Sequence, residues 1–201
     1  MSLLEAFDAE LSEHAKVVDE SRASLGDQFV AMLEAWSRAI RGGGKIMLFG
    51  NGGSAADAQH IATELTIRYA HNRPAIAAIA LTTDTSALTA AGNDLGFETI
   101  FARQLEALGR PGDLVLALST SGRSPNIIAA LRTARQIGVE AAALTGGDGG
   151  LLVGLAEPLV IVPSDVTARI QELHITLGHM LCGALERRLG YRSEKDEVLA
   201  A

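Results

Sequence analysis

Two serine- and glycine-rich turns hold the residues best suited to chemistry. Gly50-Asn51-Gly52-Gly53-Ser54 follows the apolar run Lys45 to Phe49, and Ser119-Thr120-Ser121-Gly122-Arg123-Ser124 follows the run Asp113 to Leu118. Where a strand hands over to a helix, such turns aim backbone N–H groups and hydroxyls at the positive end of the helix dipole. A phosphate is favoured there. In the second turn, Ser124 reads as an N-cap with Pro125 at the first helical position. Capping accounts for one serine, not for four hydroxyls within six residues beside Gly122. In the first, Ser54 to Asp57 has the form of a capping box, which leaves other N–H groups of the turn free. Gly50 to Ala55 also fits G-x-G-x-x-A, but a dinucleotide loop expects an acid about 20 residues on. Here the second strand ends at Asp84, well beyond that distance. A phosphorylated small molecule fits better than a nucleotide.

Downstream lie groups that could move protons or hold a metal. Asp57, His60 and Glu64 stand at i, i+3 and i+7, on one helical face. His60 and Glu64, one turn apart, could bind a divalent ion together, or Glu64 could act as a general base; a solvated polar face is the plainer alternative. The last helical stretch offers Gln171, Glu172, His174 and His179. Gln171 and His179 lie about 12 Å apart along a helix axis, so they reach one centre only when extended. Either histidine taken alone is an ordinary helix residue. Asn93-Asp94 is a turn and N-cap, or a source of hydrogen bonds to sugar hydroxyls. His71 and His14 receive no role.

These groups need a scaffold, and the apolar pattern describes one. Residues 3–41 have helical periodicity: Leu4, Phe7, Leu11 and Val18 fall near one stripe, and Phe29, Leu33, Trp36 and Ile40 repeat at four and three. The seams fit two helices packed together, or packed on another subunit. After Gly42-Gly43-Gly44, apolar runs recur at 45–49, 75–81, 113–118, 139–145 and 157–162 without polar alternation, as strands buried on both faces of a parallel sheet do. Helical stretches near 54–70, 85–107 (in two pieces), 124–137, 149–155 and 166–189 separate and follow them. The fold class is therefore α/β: a doubly wound five-stranded parallel sheet flanked by helices, with two N-terminal helices. Its ligand belongs at the carboxyl ends of the strands, where both turns lie. The expected division is an N-terminal helical pair at 1–42, a core domain at 43–191 and a fraying tail at 192–201.

Composition narrows the function classes. The chain has 201 residues, 48% of them hydrophobic, and a net charge of −7, which argues against a broad nucleic-acid surface. No apolar run approaches the roughly 20 residues of a membrane span. The start, Met1 to Glu10, lacks the basic and apolar regions of a signal peptide. The one cysteine, Cys182, lies among Met180, Leu181 and Leu185 and reads as a small buried hydrophobe. The expectation is a cytoplasmic protein without membrane or direct nucleic-acid partners.

With these residues assembled, the chain resembles the sugar isomerase (SIS) domain family and, within it, the bacterial phosphoheptose isomerases, which act on sedoheptulose 7-phosphate. The likeness spans nearly the whole chain. It rests on Gly50 to Ser54, Ala58-Gln59-His60 with Glu64, Asn93-Asp94, Ser119 to Gly122, Leu144 to Gly150, and Arg169 to Glu172 with His179. The serine turn marks the wider family; the acid at 64 with the histidine at 179 is the narrower signal. The resemblance implies a flavodoxin-like sheet and a homotetramer with sites at subunit interfaces. It implies that Ser119, Thr120, Ser121 and Ser124 hold the phosphate, that Asn51, Gly52, Gly53, Asn93, Asp94, Glu64 and Gln171 contact the substrate, and that Glu64 and His179 are the acid–base pair. It also implies that Arg68, one turn beyond Glu64, faces the site. Some members bind zinc, through positions matching His60, Glu64, Gln171 and His179, one ion per subunit; no nucleotide is implied. The implied reaction is conversion of sedoheptulose 7-phosphate to D-glycero-D-manno-heptose 7-phosphate by enediol proton transfer, the first step of nucleotide-activated heptose biosynthesis. The alternative is a non-catalytic SIS protein that binds the replication initiator or senses a sugar phosphate. Such a protein has no need of both Glu64 and His179.

Overall fold

The computed structural model describes residues 1–191; the tail expected to fray, 192–201, lies outside the described residues. Two helices, α1 (Leu3–Ser24) and α2 (Gly26–Arg41), precede β1 (Ile46–Gly50) and α3 (Gly53–Thr66). Then come β2 (Ala78–Ala80), α4 (Thr85–Asp94), α5 (Ala102–Leu108), β3 (Leu114–Ser119), α6 (Pro125–Gln136), β4 (Glu140–Gly146), β5 (Leu159–Val162) and α7 (Thr167–Arg188). The five strands form one sheet in the order β2-β1-β3-β4-β5, and every pairing is parallel. This is the doubly wound α/β arrangement, with its switch point between β1 and β3. Gly50 pairs in register with Leu118 there, so the two turns emerge side by side.

Alternate residues of each central strand serve opposite faces. Ile46, Leu48, Leu114, Leu116 and Leu144 pack with Trp36, Ile61, Leu65, Leu173 and Leu181 from α2, α3 and α7. Met47, Phe49, Val115 and Ala143 pack with Phe101, Leu105, Ile127 and Leu131 from α5, α6 and the segment before α5. Both faces being covered explains the unbroken apolar runs. The edge strand β2 is shorter than 75–81, and its Ile79 is 40% exposed. The stretch 149–155 forms only a 3-10 turn at Gly150–Leu152.

The two N-terminal stripes differ in burial. α2 buries Met32, Ala35 and Trp36 in the core, whereas Leu4, Phe7 and Leu11 of α1 are 69%, 58% and 54% exposed. Among the described residues, no helix is long and apolar enough to cross a membrane.

Candidate active site

The capping box expected at Ser54 does not form. Gly52 is the N-cap of α3, at φ 57°, and no side chain caps the helix, while Ser54 is buried within it. A residue bearing a Cβ is strained at that φ. The next position, Gly53, is a close approach: a Cβ there would stand 2.7 Å from Gln171 Nε2. Gln171, at the start of α7, therefore lays its amide against the backbone of the first turn. The two turns are joined directly, since Asn51 Nδ2 donates to Asn126 Oδ1 at 2.9 Å and Asn126 Nδ2 returns a bond to Asn51 Oδ1 at 2.8 Å.

In the second turn, Ser119 Oγ accepts from Gly122 N (3.2 Å) and Ser121 Oγ from Arg123 N (3.3 Å). These bonds shape the loop and leave both hydroxyl protons free to donate. Ser124 occupies the N-cap with Pro125 following, as expected, yet its hydroxyl makes no capping bond. Asn51, Ser54, Ser119, Thr120, Ser124 and Gln171 line a cavity of about 60 Å³, the room of a few heavy atoms rather than a whole sugar. Thr120 also borders a larger hollow of about 390 Å³ with Ser121, Arg123, Asp148 and Asp165. Arg123 is already paired there, to Asp148, and does not line the small cavity.

Along the same two helices stands a second cluster. His60 Nε2 lies 3.2 Å from Glu64 Oε1 and 3.0 Å from His179 Nε2, and the three ligand atoms all fall within 4.8 Å of one another. Two imidazole nitrogens that close share either one proton or one cation. Nitrogens about 2.0–2.1 Å from a tetrahedral ion would be roughly 3.3 Å apart, so the trio fits a divalent metal. Asp57 faces the cluster: burial pushes its carboxyl up, and the charges of His60 and His179 pull against that. Gln171 lies with the small cavity.

Other expectations fall outside the pair of turns. Asn93 and Asp94 end α4 rather than capping the next element; they bond to each other at 2.7 Å and are exposed. Asp94 lines a different hollow, with Arg103 and Gln104. His14 bonds Glu172 at 2.7 Å. His174 is fully buried, its Nε2 3.2 Å from Thr145 O; a carbonyl only accepts, so that nitrogen carries the proton. Cys182 is buried, and burial pushes its thiol up to about 12, which suits a packing residue and not a nucleophile.

Three features beside these residues had no signal in the chain. The Tyr69 ring stacks on His179, with centroids 5.6 Å apart and planes at 27°. Asn126 links the turns, and Arg73 forms a buried pair with Glu186. Each depends on residues far apart in sequence and lacks a spacing that marks it.

The SIS domain family model matches residues 11–146. The chain belongs to the SIS domain family. Its similarity within that family is specific: it is 56% identical over 179 residues to a phosphoheptose isomerase of Paramagnetospirillum magneticum, covering 89% of this chain and 93% of the relative. Among solved structures, phosphoheptose isomerase from Neisseria gonorrhoeae is 43% identical with a TM-score of 0.87, covering 92% of this chain and all of that one. The one from Francisella tularensis is 35% identical with a TM-score of 0.90, covering 93% of this chain and all of that one.

Proposed function

We infer that this chain is a phosphoheptose isomerase that converts sedoheptulose 7-phosphate to D-glycero-D-manno-heptose 7-phosphate, the first step of nucleotide-activated heptose biosynthesis. The observation that carries the reading is the meeting of Glu64, His60 and His179 on the α3–α7 pair whose N-terminal ends border the serine-lined cavity. Similarity over nearly full length to phosphoheptose isomerases supports it.

In this reading Ser119, Thr120, Ser121 and Ser124 donate to the phosphate, and the α6 N-terminus adds its dipole. Asn51, Gly52, Gly53 and Gln171 contact the rest of the substrate. Asn93 and Asp94 are given its sugar hydroxyls on family resemblance alone. Glu64 takes the proton from C1 of the ketose, giving an enediol, and a proton is returned to C2 to give the aldose. His179 moves protons between the two oxygens, so that neither accumulates full charge. His60, Glu64 and His179 would hold one zinc per subunit; Gln171, whose amide lies against Gly53, joins that set on family resemblance alone. When bound, the ion supplies Lewis-acid polarisation of the carbonyl oxygen.

The assembly proposed is a homotetramer in the cytoplasm. The exposed apolar stripe of α1 supports association, because an isolated helix face of that kind is unusual on a monomer. Incubating the protein with sedoheptulose 7-phosphate tests the activity. Glu64→Gln should bind the sugar phosphate with little change in affinity and lose turnover; turnover at the wild-type rate would remove Glu64 from the mechanism.

A further inference from the structure

α3 is finished by a residue that lies beyond it. The Arg73 guanidinium donates from Nη2 to Glu64 O at 2.7 Å and from Nη1 to Leu65 O at 2.7 Å. Its Nε donates to Glu186 Oε1 at 2.8 Å. One planar group thus grips the backbone of Glu64 and, through Glu186, the helix that carries His179. Both side chains are out of solvent, 1% and 0% exposed. Glu186 follows His179 by two turns of α7, so the two share a face. Tyr69, in the same connection after α3, places its N–H 3.4 Å from Glu186 Oε1 and stacks its ring on His179.

Stability alone is a poor account of this pair. As an ion pair it is replaceable by an apolar pair of similar volume, at the cost of leaving the Glu64 and Leu65 carbonyls without their donor, and the second carboxylate oxygen of Glu186 is buried with no partner among the described residues. An apolar pair cannot reproduce the rigid fork of donors, which fixes direction as well as distance. At the site end the helices are in close contact, where Gly178 faces Ile61. The fork fixes the other end.

We propose that Arg73 and Glu186 are positioning residues that set the spacing of α3 and α7, and so hold Glu64 and His179 in register for proton transfer. The inference rests on the proposed function for its activity readout only.

Removing one partner strands a buried charge and threatens the fold. The decisive variant is therefore Arg73→Met/Glu186→Met, which removes both charges and keeps the volume; Arg73→Lys keeps the charge and loses the fork. Each is compared with wild type for thermal midpoint, for kcat and KM on sedoheptulose 7-phosphate, and by crystal structure. The double variant should stay folded with KM within about threefold and kcat down by about 10²-fold, the effect of a misplacement near 1 Å. In its crystal structure the ligand atoms of His60, Glu64 and His179 should no longer lie within 4.8 Å of one another. Arg73→Lys should fall between. Wild-type kcat with an unmoved trio in the double variant would overturn the proposal, and so would the same result in Arg73→Lys if the double variant does not fold. If the wild type turns over no sedoheptulose 7-phosphate, the functional reading fails while the crystallographic spacing still decides this one.

Discussion

At Ser124 the hydroxyl is spared from helix capping although the residue holds the N-cap position. Replacing a bonded N-cap serine by alanine costs about 1 kcal/mol, and here that bond does not exist. Ser124→Ala should therefore leave the urea midpoint where it is. A hydrogen bond to a charged group contributes about 1.5–3 kcal/mol, so KM for the sugar phosphate should rise by roughly 10- to 100-fold. A lowered midpoint with unchanged KM would make Ser124 a cap after all. Much of the site was legible at this scale. Four hydroxyls in six residues and the His60–Glu64 spacing were visible because chemistry of that kind concentrates in short motifs. The role of Ser54 was misread because the capping-box pattern ignores what the glycines before it permit: Gly52 takes the left-handed turn and the cap, which carries Ser54 inside the helix. Tyr69, Asn126, Arg73 and Glu186 were not legible, since no local pattern records a contact that only the fold creates.

Between elements, the approach of α7 to α3 decides whether His179 reaches His60. A Cβ on Gly178 would meet Ile61 Cδ1 at 2.6 Å and Cγ1 at 2.8 Å, so either the fully buried Ile61 side chain turns aside or the helices separate. Alanine is also the better helix former by about 1 kcal/mol, so stability and activity part company at this position. Gly178→Ala should lower kcat by about 10- to 100-fold through displacement of the neighbouring histidine. Adding Ile61→Ala should restore much of kcat while lowering stability by about 2–5 kcal/mol for the lost core volume. Kinetics beside urea denaturation separate the two effects, and full activity in Gly178→Ala alone would show that the spacing is slack. The strands and helices themselves were readable because buried parallel strands give unbroken apolar runs. Their ends were less so: α3 stops at Thr66 where Arg73 takes its carbonyls, and that partner lies outside the helical pattern.

For the whole molecule, two consequences concern stability and assembly. Burial lowers the His174 imidazole from its ordinary 6.5 to about 4, with the bond to Thr145 O partly opposing the shift. Between those values the unfolded chain binds the proton and the native one does not, so stability is full above pH 6.5 and declines as pH falls toward 4. The loss amounts to about 3 kcal/mol. Urea midpoints for wild type should therefore drop over this range, and those of His174→Phe should drop less; equal slopes would acquit His174. The α1 stripe bears on assembly. Phe7→Glu/Leu11→Glu should dissociate the proposed tetramer, seen as a lower mass by light scattering, whereas an unchanged tetramer would place the interface elsewhere. From the sequence the stripe was visible but not its destination, because periodicity identifies an apolar face without saying whether the same chain covers it.

The most direct test of the account is a proton NMR time course with sedoheptulose 7-phosphate in deuterated buffer, run on wild type and Glu64→Gln. Proton transfer through an enediol predicts D-glycero-D-manno-heptose 7-phosphate with deuterium at C2 from the wild type and none of that product from Glu64→Gln. Unchanged sedoheptulose 7-phosphate with folded wild-type protein supplied with zinc would contradict it, as would product formed without deuterium and at full rate in both proteins.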